Sequence, residues 1–405
     1  MIAYLNAPAG QPFTGEAGLS ARSAVHEMLI PTMSPVSPRS ASQPKAPSAV
    51  VSETRQRHPS RSAEASGKSA GKRWRAIGKQ VAAQLLCAVG VPALARWRMR
   101  RKLTILMFHG VELAPLSPPC WHVIDLTLFR REMAYVRRHF NVLPIEEALE
   151  RLAAGTLPDY AAALTFDDGT KNIATYAAPV LRELSLPAGI FLATGPMGTD
   201  QALWPDRLWL AFAQTETTEA DLTPLGLGKR SLHSASHRGE AYAASVSRLK
   251  DLPDDERMSL LESVLTSIGW ADDTDPGPFR LLSWDEAREI ARDGHVALYP
   301  HSLTHPILSQ CTDEKVENEI AESCLAVQRE TGRAPTIFAY PNGRSQDFDE
   351  RAKAVLRRHG IRWALSAAEG FADPYSDPLA LPRVLIGNDL SFARFRLHIS
   401  GALRA

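Results

Sequence analysis

The sequence predicts an α/β chain built on a parallel sheet, and three observations carry that expectation. From Leu103 onward, short apolar runs alternate with amphipathic stretches of helical period, the pattern of repeated strand–helix units. The apolar runs are continuous, as strands buried on both faces require. The residues best suited to chemistry (Asp167, Asp168, His301 and the Tyr340–Gly343 turn) fall at the C-terminal ends of these runs, where active sites form in such folds. Periodicity alone leaves the sheet either open or closed into a barrel.

Taken in order, Leu103 to His109 reads as a buried strand. Phe129 to Phe140 reads as a helix with Phe129, Met133 and Val136 on one face. Ala161 to Phe166 is a second buried strand, ending in two aspartates. Tyr176 to Leu184 is a helix and Ala188 to Ala193 another strand. Between about 199 and 282 the alternation stops. There Trp204-Pro-Asp-Arg207 opens a helix, 213–252 is polar and irregular, and Asp255 to Ile268 is helical, together an insertion over the site. The pattern resumes at Ser283 and Glu286, a capping box that opens a helix to Arg292, closed by Gly294. The strand His295–Tyr299 follows, then a helix from Asp313 to Glu330 and a strand from Thr336 to Tyr340. A helix from Asp349 to Arg358, closed by Gly360, and a strand from Arg362 to Ser366 complete the alternation.

Ahead of this body, the formal net charge of +1 conceals an asymmetry: residues 1–102 hold 16 basic and 4 acidic side chains, the remainder 30 and 41. Residues 1–72 are rich in Pro, Ser, Ala and Gly and lack the apolar content to order themselves, so a disordered leader is expected. Residues 73–102 differ. Trp74, Ile77, Val81, Leu85 and Leu86 recur at helical spacing between Lys and Arg. The apolar centre, Val81 to Leu94, is about 14 residues, short of the roughly 20 that span a bilayer. It suits a basic amphipathic segment at a membrane surface or a solvated helix packed on the domain. Nucleic-acid binding is not expected, because no aromatic–basic module accompanies the charge. No secretory signal is read at the N-terminus. With no CxxC pair, Cys87, Cys120, Cys311 and Cys324 read as reduced thiols, and a cytoplasmic location is expected, peripheral to the inner membrane face.

The chemistry is read from two clusters. Asp167 and Asp168 end a strand, and His301 and His305 stand four apart near the end of another. One carboxylate and two imidazoles form the ligand set of a divalent metal site with open positions. Alternation along extended backbone sends adjacent side chains apart, so Asp168 is assigned as ligand and Asp167 as base. A tight turn whose aspartates cap a helix is the plainer reading of DDG alone. Four positions also match one helical face, although Pro306 limits regular helix there. His109, at the end of the first strand, reads as a substrate or supporting contact, or as a structural histidine. Trp204 and Asp206 suit a sugar site or a helix start.

These motifs, TFDDG (Thr165–Gly169), HSLTH (His301–His305) and FAYPNG (Phe338–Gly343), resemble those of the polysaccharide deacetylase family, the NodB homology domain of carbohydrate esterase family 4. The resemblance covers about 103–398, within a domain placed at 103–400. It implies a deformed (β/α)7-type barrel that hydrolyses N-acetyl groups of amino sugars in a polysaccharide or glycolipid. It also implies one divalent metal ion, Zn²⁺ before Co²⁺, Ni²⁺, Mn²⁺ or Fe²⁺, held by Asp168, His301 and His305. Asp167 becomes the catalytic base, the N–H of Asn342 the oxyanion donor, and Tyr340 and Pro341 its companions at the substrate. A bound ion would acidify a water toward about pKa 7 and polarise the amide carbonyl. The chain also departs from the pattern. Ala339 stands where many members carry an arginine that orients the base, leaving Arg344, Arg333 or Arg383 to reach it. The usual C-terminal leucine–histidine motif is not evident, and His398 lies too late for it. Tyr299-Pro300 precedes His301 where small residues are expected, which would narrow the pocket or tilt the histidines. The alternatives are a related amide or ester hydrolase on a lipid-linked or small substrate, and a catalytically impaired carbohydrate-binding relative.

Overall fold

The computed structural model describes residues 77–270 and 274–403. The leader expected over 1–72 and the opening of the basic segment, Trp74 included, lie outside the described residues.

Two short helices come first, α1 (Ile77–Ala88) and α2 (Val91–Met99), bent by 71° at their junction. Strand β1 (Thr104–Phe108) enters the core and is followed by a small parallel pair, β2 (Gly110–Glu112) and β3 (Val123–Asp125). Helix α3 (Leu126–His139) starts where the Asp125 carboxylate accepts the N–H of Leu128. Then come β4 (Asn141–Val142), α4 (Ile145–Ala153), β5 (Ala161–Phe166), α5 (Ala178–Glu183) and β6 (Ala188–Leu192). The long connection that follows holds α6 (Trp204–Gln214), the antiparallel pair β7 (Glu219–Asp221) and β8 (Lys229–Ser231), α7 (Ala235–Leu249) and α8 (Asp254–Ser267). The alternation resumes with α9 (Trp284–Ala291), β9 (Val296–Pro300), α10 (Asp313–Thr331), β10 (Ile337–Ala339), α11 (Glu350–Arg358), β11 (Trp363–Glu369), β12 (Leu381–Leu385) and α12 (Phe392–His398).

The main sheet runs β10-β11-β12-β1-β5-β6-β9, with every ladder parallel. Each strand therefore pairs with the next in chain order and the last of them with the first. Only β9 and β10 share no ladder, so the seven strands form a nearly closed barrel. This settles the choice that periodicity left open. At the seam a side chain replaces the missing ladder: His301 Nδ1 lies 2.8 Å from the carbonyl oxygen of Ala339.

Strand alternation sorts the side chains into two shells. Leu103, Ile105, Ala161, Ala163, Phe191, Tyr299, Ile337, Ala339, Trp363, Leu365 and Leu381 point inward and fill the barrel. Their neighbours Leu106, Phe108, Leu164, Phe166, Ile190, Leu192 and Val384 point outward, joining Phe129 and Met133 of α3, Leu181 of α5 and Ile290 of α9. Large and small inward residues compensate for one another. Phe191 stacks on Tyr299 at 5.2 Å between ring centroids, above the alanines of β5. Each such ring, fully buried, contributes roughly 1.5–3 kcal/mol. Tyr299 therefore fills the barrel rather than narrowing the pocket. Pro300 ends β9 opposite Leu192, and the missing N–H costs nothing because His301 N donates to Leu192 O at 2.8 Å.

The segment expected to be irregular, 213–252, is ordered as β7, β8 and α7. The reason it escaped notice is local. The residues that α7 buries are Ala241, Ser245 and Leu249, too small and polar to mark a helical face. With α6 and α8 it encloses a separate apolar cluster of Trp204, Leu208, Phe212, Leu249, Leu261 and Leu265. The capping box at Ser283 and Glu286 forms as expected. All four cysteines are buried free thiols.

Candidate metal centre and active site

The inward register of the barrel delivers the site. Extending each strand by its own alternation places His109 after Met107, Asp167 after Thr165, His301 after Tyr299 and Arg383 after Leu381. These four form the top layer above the apolar filling. His109 and Asp167 stand side by side beyond the Phe108–Phe166 pair, where Asp167 N donates to Phe108 O at 2.9 Å.

Asp168 and His305 arrive differently. Simple alternation was expected to part the two aspartates; instead Asp168 leaves extended backbone altogether, with φ 71°. Gly169 continues the turn at φ 79°, and a Cβ there would lie 2.6 Å from Leu192 Cδ2. The histidines do not share a helical face either. Residues 301–305 are non-helical, with Ser302 at φ 68° and His305 at φ 61°, and this left-handed loop curls the second imidazole back toward the first. Several bonds hold the loop. Ser302 Oγ accepts the N–H of His305 at 3.0 Å, Glu319 accepts the N–H groups of Leu303 and Thr304, and the Trp204 indole donates to His305 O at 3.2 Å.

The result is a tight, buried trio. Asp168 Oδ1 lies 3.5 Å from His301 Nε2 and 3.3 Å from His305 Nε2, and the three donor atoms lie within 4.8 Å of one another. Asp168 Oδ1 has no hydrogen-bond partner despite its burial. Burial alone would raise the Asp168 carboxyl, yet the two imidazoles hold it well below the usual range. An oxygen and two nitrogens converging from one side, with an orphaned carboxylate oxygen among them, fit a divalent cation with open positions. His301 also has the outer support of a metal ligand, its second ring nitrogen being engaged by the Ala339 carbonyl. Among the described residues this is the one such cluster of three.

Asp167 is held by a different partner. Arg383, fully buried on β12, donates NH1 to Asp167 Oδ1 at 2.8 Å and NH2 to Oδ2 at 2.7 Å. Its Nε donates to Ser366 O at 2.8 Å, which fixes the fork. Burial pushes the Asp167 carboxyl up, but Arg383, together with His301 and His109, more than offsets it and the group sits below its ordinary value. Of the three arginines weighed, Arg383 makes the contact. Arg333 instead approaches Glu146 at 3.5 Å, and Arg344 bonds through its backbone N–H to Asp347.

A cavity of about 350 Å³ opens over these groups, lined among others by His109, Asp167, Asp168, His301, His305 and Asn342. Asn342 is left-handed at φ 58°, and its Nδ2 is buried without a partner. Tyr340, expected at the substrate, is not there. Its ring stacks on Phe348 at 3.8 Å and its hydroxyl donates to Leu379 O, so it belongs to the shell under α10 and α11. Asp206 lines the cavity from the first turn of α6, bonded at 3.2 Å to His122 Nε2. Trp204 lines instead a larger neighbouring cavity of about 680 Å³, which lacks the donor trio. His109 Nδ1 is buried and unpartnered; burial first, against the field of Asp168, pushes its pKa down to about 4. His398 bonds the Leu385 carbonyl from α12, a structural role. Sequence reasoning passed over Trp121, His122 and Tyr242, which also line the cavity. Their only signal was their aromatic or imidazole character.

A family model described as polysaccharide deacetylase matches residues 154–364. The chain is similar in structure to a Streptococcus pyogenes deacetylase, PplD, solved with acetate (17% identity, 74% of this chain and 98% of that one, TM-score 0.49). It is similar also to IcaB from Ammonifex degensii (16%, 75% and 97%, TM-score 0.47). A third likeness is to BC0361, a polysaccharide deacetylase from Bacillus cereus (15%, 74% and 69%, TM-score 0.48). No curated protein sequence matches. The matched span 154–364 contains Asp167, Asp168, His301 and His305 but neither His109 nor Arg383.

Proposed function

We propose that this chain, which belongs to the polysaccharide deacetylase family, removes N-acetyl groups from amino sugars of a polysaccharide or glycolipid in a reaction that depends on a divalent cation. It is a deacetylase hydrolase acting on carbon–nitrogen bonds, and the finer assignments are ours. The single observation that carries them is the trio of Asp168, His301 and His305 beside an Asp167 that an arginine keeps ionised.

Asp168, His301 and His305 would hold the cation. When bound, it supplies a Lewis acid that polarises the acetyl carbonyl and acidifies water, and Zn²⁺ suits this donor set. Asp167 takes the proton of the attacking water, its carboxylate aimed by the two bonds from Arg383. The N–H of Asn342 faces the charge developing on the carbonyl oxygen. His109, which lines the same cavity with no hydrogen-bond partner at Nδ1, relays the proton that Asp167 has taken to the departing amine. The test is acetate release from N-acetylglucosamine oligomers, with elemental analysis of the purified chain. Release that a chelator abolishes and metal restores supports the proposal. Release that survives complete removal of metal would end the metal-dependent part.

We also infer that α1 and α2 lie against an anionic membrane surface, on the inner face. No single helix among the described residues is long and apolar enough to cross a membrane. Of the row expected from sequence, Ile77, Val81, Leu85 and Leu86 are exposed, and Val89, Leu94 and Trp97 are exposed beside them. Exposed Arg98 and Arg101 stand beside Trp97, while Arg96 bonds the Tyr135 hydroxyl and Arg100 pairs with Asp159. Apolar side chains flanked by cations suit an interfacial helix over anionic headgroups.

A further inference from the structure

Two cations in the active-site cavity have no part in the chemistry above. Lys250, which ends α7, and Arg344, just beyond the Asn342–Gly343 turn, both line the cavity that holds Asp167, Asp168 and the two histidines. They come from opposite sides in sequence, one from the insertion and one from the β10–α11 connection, yet they are near enough to repel. Burial first, and Arg344 second, hold the Lys250 ammonium below the ordinary lysine range. Among the described residues no carboxylate lies within ion-pairing distance of either head group. Comparable side chains elsewhere are paired, as Lys315 is with Asp254 and Lys353 with both Glu350 and Asp377.

The surrounding carboxylates do not fill the role. Asp347 accepts the backbone N–H of Arg344 and attracts both cations through its charge, but it forms no ion pair with either head group. Asp251 lines the cavity but is exposed and pairs with neither cation. Asp167 is paired with Arg383, and Asp168 faces the two imidazoles while its field still favours the Lys250 ammonium. Like charges lining one cavity, half-buried Lys250 with exposed Arg344, are better satisfied when a ligand brings the opposite charge.

We propose that Lys250 and Arg344 form an anion subsite, so that the sugar deacetylated here carries or adjoins a phosphate or carboxylate group. This rests on the deacetylase reading only in placing an amino sugar in the cavity. A volume of about 350 Å³ is at the small end of ligand pockets, so the anion must sit on the reacting unit or on its immediate neighbour. Trp121 and Tyr242 line the same cavity and offer faces for the ring itself.

The test measures affinity rather than turnover, by calorimetry on the full-length protein with its metal. Three probes are compared: a neutral N-acetylglucosamine tetramer, a tetramer alternating N-acetylglucosamine with glucuronate, and an N-acetylglucosamine trimer bearing a 1-phosphate. At least one anionic probe is expected to bind about tenfold or more tighter than the neutral one, the scale of one charge-assisted contact. Whichever does so identifies the group as carboxylate or phosphate. In the Lys250→Gln, Arg344→Gln double variant the ratio should fall to about one, and rising salt should erode it in the wild type alone. Equal affinities for all three probes would overturn the subsite, as would a preference that survives the double substitution. If the anionic probe binds tighter through these residues but releases no acetate, the subsite stands and the deacetylase reading fails.

Discussion

Asp167 and Asp168 are chain neighbours with different partners, and the different roles proposed for them follow from that. Arg383 pairs with the first through two short bonds, while two imidazoles crowd the second. Asp168→Ala should therefore abolish metal binding, read by elemental analysis. Asp167→Asn should keep the metal and lose about 10²–10⁴ in kcat, the span of a general base. Full activity in Asp167→Asn would remove the base assignment. Arg383 gives a sharper test through pH. The Asp167 carboxyl is depressed, so the stability it contributes is present above the ordinary aspartate value of about 3.9 and lost as pH falls through its folded value. Arg383→Met removes the largest of the charges that offset burial, so the carboxyl should rise and the ascending limb of the kcat/KM profile should move to higher pH. A limb that stays in place would show that the arginine does not tune the base. The convergence of Asp168, His301 and His305 was legible in sequence because their donor types and motif order carry the signal. The partner of Asp167 was not, because the pair spans 216 positions and only the inward register of β12 brings them together.

At the scale of elements, two connections convert regular strands into a site. The turn after β10 needs Gly343 in the left-handed region, where a Cβ would lie 2.9 Å from both Ala367 N and Tyr340 O. Those are backbone atoms and cannot step aside. Gly343→Ala should cost about 1–3 kcal/mol, seen as a lower Tm, and should displace Asn342 enough to lower kcat. An unchanged Tm would mean that the turn relaxes freely. The loop after β9 is held partly from the insertion, through the Trp204 indole on the His305 carbonyl. Trp204→Phe keeps most of the packing and deletes that bond, so metal affinity should fall by about 10-fold in a competition titration with a chromophoric chelator. Most barrel strands and outer helices could be read from periodicity, β5 at its observed ends. Two of the elements that escaped, β12 and α7, share a cause. In β12, Pro382 and Arg383 interrupt the apolar run. In α7 small and polar residues occupy the buried face. The histidine loop depends on left-handed residues other than glycine, for which sequence spacing offers no signal.

For the molecule as a whole, the uneven placement of exposed apolar side chains is the observation that reaches beyond the barrel. Seven large ones lie within residues 77–97, whereas Leu113, Trp121, Leu325, Tyr375 and Leu403 are scattered over the rest. The opposite face of α1 is already used, since Ala83 and Cys87 pack on Leu397 of α12. The exposed row is therefore the unpartnered side of helices whose other side is docked on the domain. The membrane reading proposed above gives this row an anionic surface to meet, toward which exposed Arg98 and Arg101 would contribute. Full-length protein should float with vesicles containing phosphatidylglycerol, much less with phosphatidylcholine alone, and added salt should weaken the association. Replacing Leu85, Val89 and Trp97 together by Ser removes three side chains worth about 1.5–3 kcal/mol each when fully buried, so even partial insertion predicts at least a tenfold loss of vesicle binding. The barrel should be indifferent to the change, and its near-UV circular dichroism and Tm serve as the control. If the same row instead joined two copies of the chain, the triple variant would alter the sedimentation coefficient and leave flotation as it was. That result would replace the membrane with a second protomer as the occupant of this face.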